Sequence, residues 1–202
     1  MIRVALVDDE VLVRSALATL LGLNEELDVV AEFSSGEDAV ARLAAEPVDV
    51  AILDLQMPGM DGIETAQKLM ANGGAKATMI LTSHARPGYL KKALESGTRG
   101  FLPKNVRAED LNRAIRDVHA GKRAIDPTLA ADTIAAGDSP LTARESDVLE
   151  LAALGLPVYD IAKRTHLAEG TVRNYLSNIQ TKLGARSKHE AAEIARRNGW
   201  IG

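Results

Sequence analysis

A run of three acids (Asp8, Asp9, Glu10), a lone Asp54, a Thr82 and a Lys104 each follow or close a short apolar stretch, and their types and spacing could do chemistry. Carboxylates from Asp8, Asp9 and Asp54 brought together repel one another unless a positive charge joins them. An all-oxygen donor set selects Mg2+ or a similar hard cation. Lys104 beside them supplies a charge partner for a phosphoryl oxygen and Thr82 a hydroxyl donor, while Asp54 can act as nucleophile in phosphoryl transfer. Any one Asp at a strand end is usually a turn former or a helix cap. Polar groups at four strand ends in register are better read as a site.

The elements that must position these groups are legible as repeated βα units, about 25 residues apart, over the first 120 residues. The predicted strands are Ile2–Val7, Val29–Phe33, Val48–Leu53, Ala77–Thr82 and Gly100–Leu102, short and aliphatic as strands buried on both faces should be. Helices are expected at Val11–Leu21, Gly36–Ala45, Asp61–Met70, Gly88–Ser96 and Arg107–Ala120, the last capped by Asn105. This pattern predicts a doubly wound, flavodoxin-like five-stranded parallel sheet of order 2-1-3-4-5. Functional groups in such a sheet collect beyond the strand carboxyl ends where the order reverses. Strand one stops at Asp8 and Asp9, strand three at Asp54, strand four at Thr82 and strand five at Pro103 and Lys104, so all should face one crevice.

The chain has 202 residues, 46% of them hydrophobic, enough for two small domains each with a core. It has no cysteine, which excludes disulfides and thiolate metal sites and suits a reducing cytoplasm. The opening MIRVALVDDE reads as a strand running into acids, not as a secretory signal, and no apolar run approaches the length of a membrane span. A cytoplasmic protein without stable membrane association is expected. The net charge of −4 is unevenly spread. Residues 1–138 carry 15 Lys and Arg against 21 Asp and Glu, a net of −6, and the rest carry 9 against 7, a net of +2. An acidic body with a mildly basic end suits two halves with different partners.

From Gly121 to Ser139 the Gly, Pro and Asp content marks a linker with a short helix in its middle, giving expected domains of 1–120 and 140–202 joined by 121–139. Beyond it four short helices fit at Thr142–Leu154, Val158–Thr165, Glu169–Leu183 and Lys188–Asn198. The first opens on a capping box, Thr142 with Glu145, and a tight turn through His166 to Ala168 separates the second and third. Val172, Leu176, Ile179 and Leu183 give the third helix its buried face. Arg173, Asn174, Ser177 and Asn178 stand on the opposite face, donors able to reach base edges and phosphates. Helices joined by a tight turn, one bearing such donors, favour a helix-turn-helix over a merely solvated face.

The strings VDDE, ILDLQMPGMDG, LTSHA and GFLPK together resemble the receiver domain of two-component response regulators, over residues 1–120. The resemblance implies that Asp54 accepts phosphate from a sensor histidine kinase. It implies that Asp8, Asp9, Asp54 and the Gln56 carbonyl hold Mg2+, and that Met57, Pro58 and Gly59 shape the adjoining loop. Thr82 and Phe101 then fall at the switching hydroxyl and aromatic positions, and Lys104 is the phosphate-binding lysine. One departure is that Pro103 precedes this lysine, where many receivers have proline after it. The second half, with LTARE, Gly155 with Ile161 and Ala162, TVRNY and KLGA, is similar to the LuxR-type output domain, so the whole resembles the NarL/FixJ class.

That second resemblance implies that Thr171, Arg173, Asn174, Ser177 and Asn178 lie at DNA, that Lys182 meets a phosphate, and that the last helix helps pair two subunits. Pro157, Val158 and Tyr159 stand where the family has a Ser or Thr cap followed by polar and basic residues, and Ala168 replaces the usual recognition-helix cap. HARPGYL and TVRNYLS resemble the DesR-like subgroup. The whole predicts a regulator that is not an enzyme, that dimerises on phosphorylation and that binds promoter DNA. A phosphatase of the haloacid dehalogenase type also uses an Asp nucleophile with Mg2+, but needs a second Asp two residues on, where this chain has Gln56. A regulator using its receiver only for dimerisation is the other alternative.

Overall fold

Six parallel strands form one sheet: β1 (Ile2–Val7), β2 (Leu27–Phe33), β3 (Val48–Leu53), β4 (Ala75–Thr82), β5 (Gly100–Pro103) and β6 (Ala124–Ile125), in the order β2-β1-β3-β4-β5-β6. The computed structural model describes residues 1–83, 85, 87–136, 139–165 and 167–201. His84 and Arg86 of the HARPGYL string, His166 of the tight turn, and Gly137 and Asp138 of the expected linker lie outside the described residues. The chain divides into two compact units, one built on residues 1–85 and 90–130, the other on 86–89 and 131–202.

Within the first unit the strands alternate with α1 (Val11–Gly22), α2 (Gly36–Leu43), α3 (Gly62–Ala71), α4 (Pro87–Glu95) and α5 (Ala108–His119). Val4, Leu6, Val50, Ile52, Met79 and Leu81 form one core with Leu21 of α1 and Leu111, Ile115 and Val118 of α5. Each such side chain contributes about 1.5–3 kcal/mol when fully buried. β1 pairs with β2 on one side and β3 on the other, so the strand order reverses there, and the crevice past the carboxyl ends of β1 and β3 is the expected place for a site.

The structure corrects two local expectations. Asn105 does not cap α5; it sits in a turn closed by the Val106 amide donating to the Pro103 carbonyl at 3.1 Å, and Arg107 holds the cap position without a side-chain bond. Part of the stretch read as linker belongs to the sheet. Ala124 and Ile125 pair with Gly100 and Phe101, and the Asp126 amide donates to the Phe101 carbonyl at 3.1 Å. The Asp126 carboxylate in turn accepts from the Leu129 amide at 2.8 Å, at the start of α6 (Pro127–Ala136).

The second unit holds α7 (Ala143–Ala153), α8 (Val158–Thr165), α9 (Glu169–Leu183) and α10 (Lys188–Arg197). The Thr142 hydroxyl accepts from the Glu145 amide at 3.2 Å while the Glu145 carboxylate accepts from the Thr142 amide at 2.7 Å, so the capping box is closed both ways. α9 ends at Gly184 with φ +64°, a left-handed cap that only glycine adopts without strain. Buried Val148, Ala152, Ile161, Val172 and Leu176 pack as one cluster, and Leu149, Ile179, Ala191, Ala195 and Ile201 as another.

Candidate functional site

Backbone hydrogen bonding continues past the strand ends and places the polar groups there. Val7 lies beside Leu53 and Thr82 beside Pro103 in register. One residue on, the Asp54 amide donates to the Val7 carbonyl at 2.8 Å, the Asp8 amide to the Phe33 carbonyl at 3.1 Å, and the Lys104 amide to the Thr82 carbonyl at 2.9 Å. Asp8, Asp54 and Lys104 are thus fixed by the ladder itself, which gives their side chains a defined starting point.

The carboxylates of Asp8, Asp9 and Asp54 each offer an oxygen within 4.8 Å of the others. Asp8 and Asp54 are buried, 3% and 7% exposed, and Asp9 is more open. Lys104 supplies the positive charge that such a cluster needs. Its Nζ lies 2.8 Å from Asp8 Oδ2 and 3.2 Å from both Asp54 Oδ1 and Glu10 Oε1. Burial pushes the Asp54 carboxyl above its ordinary range, with Lys104 opposing. Burial works against the Lys104 ammonium, but the hydrogen bond to Asp8 and the charges of Asp54 and Asp8 outweigh it, so its proton is held more tightly than in a free lysine. Three oxygen donors this close fit a hard divalent cation, which would neutralise them from the solvent side.

The remaining expected residues fall around this group. Thr82 closes β4 and is fully buried. Gln56 lies exposed in the loop after Asp54, while Met57 and Met60 of that loop are buried. Phe101 is fully buried, opposite Ile80 in the sheet.

Several residues that shape the site carry little or no signal in the local sequence. Glu10 joins the Lys104 cluster, and only its place next to Asp9 hinted at this. The Glu37 carboxylate accepts from the Met60 amide at 2.9 Å and ties α2 to the loop after Asp54. A Cβ at Gly59, whose φ is +79°, would lie 2.6 Å from that same carboxylate. A Cβ on Gly62 would lie 2.0 Å from the Asp54 carbonyl oxygen, so α3 begins against the backbone of Asp54 itself. The Arg14 guanidinium donates to the Asp8 carbonyl and sits 3.6 Å from Glu32.

On α9, Val172, Leu176 and Ile179 are buried, and Thr171, Arg173, Asn174, Ser177, Asn178 and Lys182 are exposed. Arg173 pairs with Glu169 one turn earlier at 2.6 Å. Ala168 holds the cap position with no side-chain bond, an absence that costs about 1 kcal/mol against Ser or Thr. Lys182 is bound to Glu145 at 2.7 Å. Among the described residues no helix is long and apolar enough to cross a membrane.

Comparison with known proteins agrees with both halves. Residues 4–116 match the response regulator receiver domain, and residues 139–195 match the luxR family of bacterial regulatory proteins. The chain is 42% identical over 202 residues to the uncharacterized transcriptional regulatory protein YvfU of Bacillus subtilis (strain 168), covering 100% of both chains. It is 39% identical over 201 residues to the transcriptional regulatory protein DesR of the same organism, again covering 100% of both. Among solved structures it is similar to the two-component response regulator RcsB in complex with DNA, with a TM-score of 0.67 and 26% identity over 97% of this chain and 98% of that one.

Proposed function

Because the chain belongs to the response regulators that join a receiver domain to a LuxR-family DNA-binding domain, and so regulates transcription, we propose that Asp54 is its phosphoacceptor and α9 its DNA-reading helix. The observation that carries the first half is the group of Asp8, Asp9 and Asp54 around a half-buried Lys104 at the point where strand order reverses.

The donor is a cognate sensor histidine kinase. An Asp54 carboxylate oxygen attacks the phosphorus of its phosphohistidine, the P–N bond breaks with its electron pair going to the imidazole, which takes up a proton, and an acyl phosphate forms. Mg2+, held by Asp8, Asp9, Asp54 and the Gln56 backbone carbonyl, would supply charge neutralisation between the acceptor and the incoming phosphoryl oxygens. Lys104 transfers its contact from the carboxylates to a phosphoryl oxygen, and Thr82 donates its hydroxyl to another. Drawing Thr82 toward the phosphate repacks the end of β4 against Phe101 and changes the outer surface of the receiver, which then pairs with a second copy.

Two output domains so joined read a two-fold related promoter site in adjacent major grooves, with Thr171, Arg173, Asn174, Ser177 and Asn178 facing the DNA. A net charge of only +2 after residue 138 makes one output domain a weak binder, which is why pairing matters. The protein works in the cytoplasm, where kinase and promoter are both in reach.

The test is mass and oligomeric state after incubation with Mg2+ and acetyl phosphate. Wild type is expected to gain one phosphoryl group and shift toward dimer, and Asp54→Ala to do neither. A wild type that stays unmodified, or an Asp54→Ala chain that is modified equally, refutes the assignment.

A further inference from the structure

We propose that Lys182 is a positioning residue that sets the angle of the DNA-reading helix through Glu145, and that it is not a phosphate ligand. The inference rests on the reading of α9 as that helix. Lys182 stands two i,i+4 steps beyond Asn174 and one beyond Asn178, so the three lie on one row of the helix surface. Its ammonium is bound 2.7 Å from Glu145 Oε2, on α7 and 37 residues away in sequence.

Glu145 is an unusually fixed partner. Its side chain is 5% exposed, and the same Oε2 accepts from the Thr142 amide at 2.7 Å and the Thr142 hydroxyl at 2.9 Å. The oxygen that grips Lys182 is therefore locked to the first turn of α7. Lys182 lies in the last turn of α9, just before the left-handed Gly184 cap, where a cation also meets the negative helix end. Tying that turn to the start of α7 fixes both the roll and the pitch of the row that carries Asn174 and Asn178.

The same geometry removes Lys182 from phosphate duty. A phosphate that drew the ammonium away would strip a buried carboxylate of its charge partner, which is costly because the remaining charge stays desolvated. Within the pair the charge is already neutralised, so DNA binding releases no counterion on its account. Hydrogen bonds from Lys182 and from Thr142 overcome the effect of burial and keep Glu145 ionised, and the ionised form is the one that can hold the clamp.

The experiment compares full-length wild type, Lys182→Met, Glu145→Gln, the double variant and Arg173→Ala. Each is titrated over a range of salt with a duplex selected in vitro by wild type and with a random duplex. For Lys182→Met and Glu145→Gln the expected result is a loss of about tenfold for the selected duplex, the scale of one weakened base contact. Affinity for the random duplex should be unchanged and the salt slope should stay at the wild-type value. The double variant should lose no more than either single.

A salt slope for Lys182→Met that falls by about 0.9, with both duplexes weakened, identifies a phosphate ligand and overturns the proposal. Equal loss on both duplexes at constant slope identifies general destabilisation and also overturns it. Specific loss at Arg173→Ala with none at Lys182→Met overturns the clamp alone. No loss at either overturns the DNA-facing reading of α9 as well.

Discussion

Replacing Gly62 by alanine adds a single methyl group in a place where it has nowhere to go. That Cβ would lie 2.0 Å from the Asp54 carbonyl oxygen, 2.9 Å from its carbonyl carbon and 3.1 Å from Leu55 Cα. Ordinary contact begins at 3.4 Å, so the start of α3 and the end of β3 must part by about 1.4 Å. Both partners are backbone, so no side chain can swing aside. The separation also breaks the bond from the Gly62 amide to the Leu55 carbonyl, now 3.0 Å. Overpacking of this kind costs about 1–3 kcal/mol, and the intrinsic helix gain of Gly→Ala, about 1 kcal/mol, offsets only part of it. The control is Gly22→Ala at the end of α1, where a Cβ meets nothing within 4 Å and the same chemical change should stabilise. Thermal melts should move in opposite directions by a few degrees, and acetyl phosphate labelling should slow only in Gly62→Ala, because the strand that carries Asp54 has shifted. Equal melting temperatures and equal labelling for the two variants would refute the reasoning.

Three other outcomes follow from the structure. The Glu145 carboxyl works against burial, yet hydrogen bonds from Lys182 and Thr142 hold it below the ordinary glutamate range. The stability it contributes is therefore complete above the unfolded value of about 4.5 and is lost as pH falls through the lowered folded value. Urea midpoints of the second unit should fall with pH below 5 more steeply in wild type than in Glu145→Gln. Lys104→Met leaves Asp8 and Asp54 buried without their cation, so it should melt earlier than wild type without Mg2+ and gain more from added Mg2+; an equal Mg2+ shift in both chains counts against the shared site. Tyr159 is 63% exposed near the start of α8, and Tyr159→Lys should tighten binding to any duplex and steepen the salt slope by about 0.9, whereas an unchanged slope places that position away from phosphates.

The sequence carried the elements whose cause is local and missed those made by distant pairing. α8 and α9 fall on their expected bounds because apolar period and turn residues fix them, and the Thr142 capping box is an i,i+3 pattern readable by eye. β2 begins at Leu27 and β4 at Ala75, each two residues earlier than expected. Asp28 and Lys76 are poor strand formers, but Asp28 lies opposite Arg3 of β1 in register, and Lys76 binds Asp49 on β3 at 2.8 Å. The gathering of Asp8, Asp9, Asp54 and Lys104 was visible because strand ends in a doubly wound sheet converge whatever lies between them. Glu37 on the Met60 amide, Gly62 on the Asp54 carbonyl and Lys182 on Glu145 were not visible, since each contact joins separate elements and leaves no period or motif behind.

The two residues of β6 change where the sheet stops. Without them β5 would be the edge, with the Arg99 and Phe101 carbonyls open to any passing strand; instead they accept from Ala124 at 2.9 Å and Asp126 at 3.1 Å. Lys122 and Arg123 lead into this short guard strand and Asp126 with Pro127 close it, charged and proline residues of the kind that discourage strand-to-strand association. A first half severed at residue 120 would bare the backbone of the strand that carries Phe101 and turn it into a template for self-association. One that keeps the chain through Asp126 carries its own edge protection away with it.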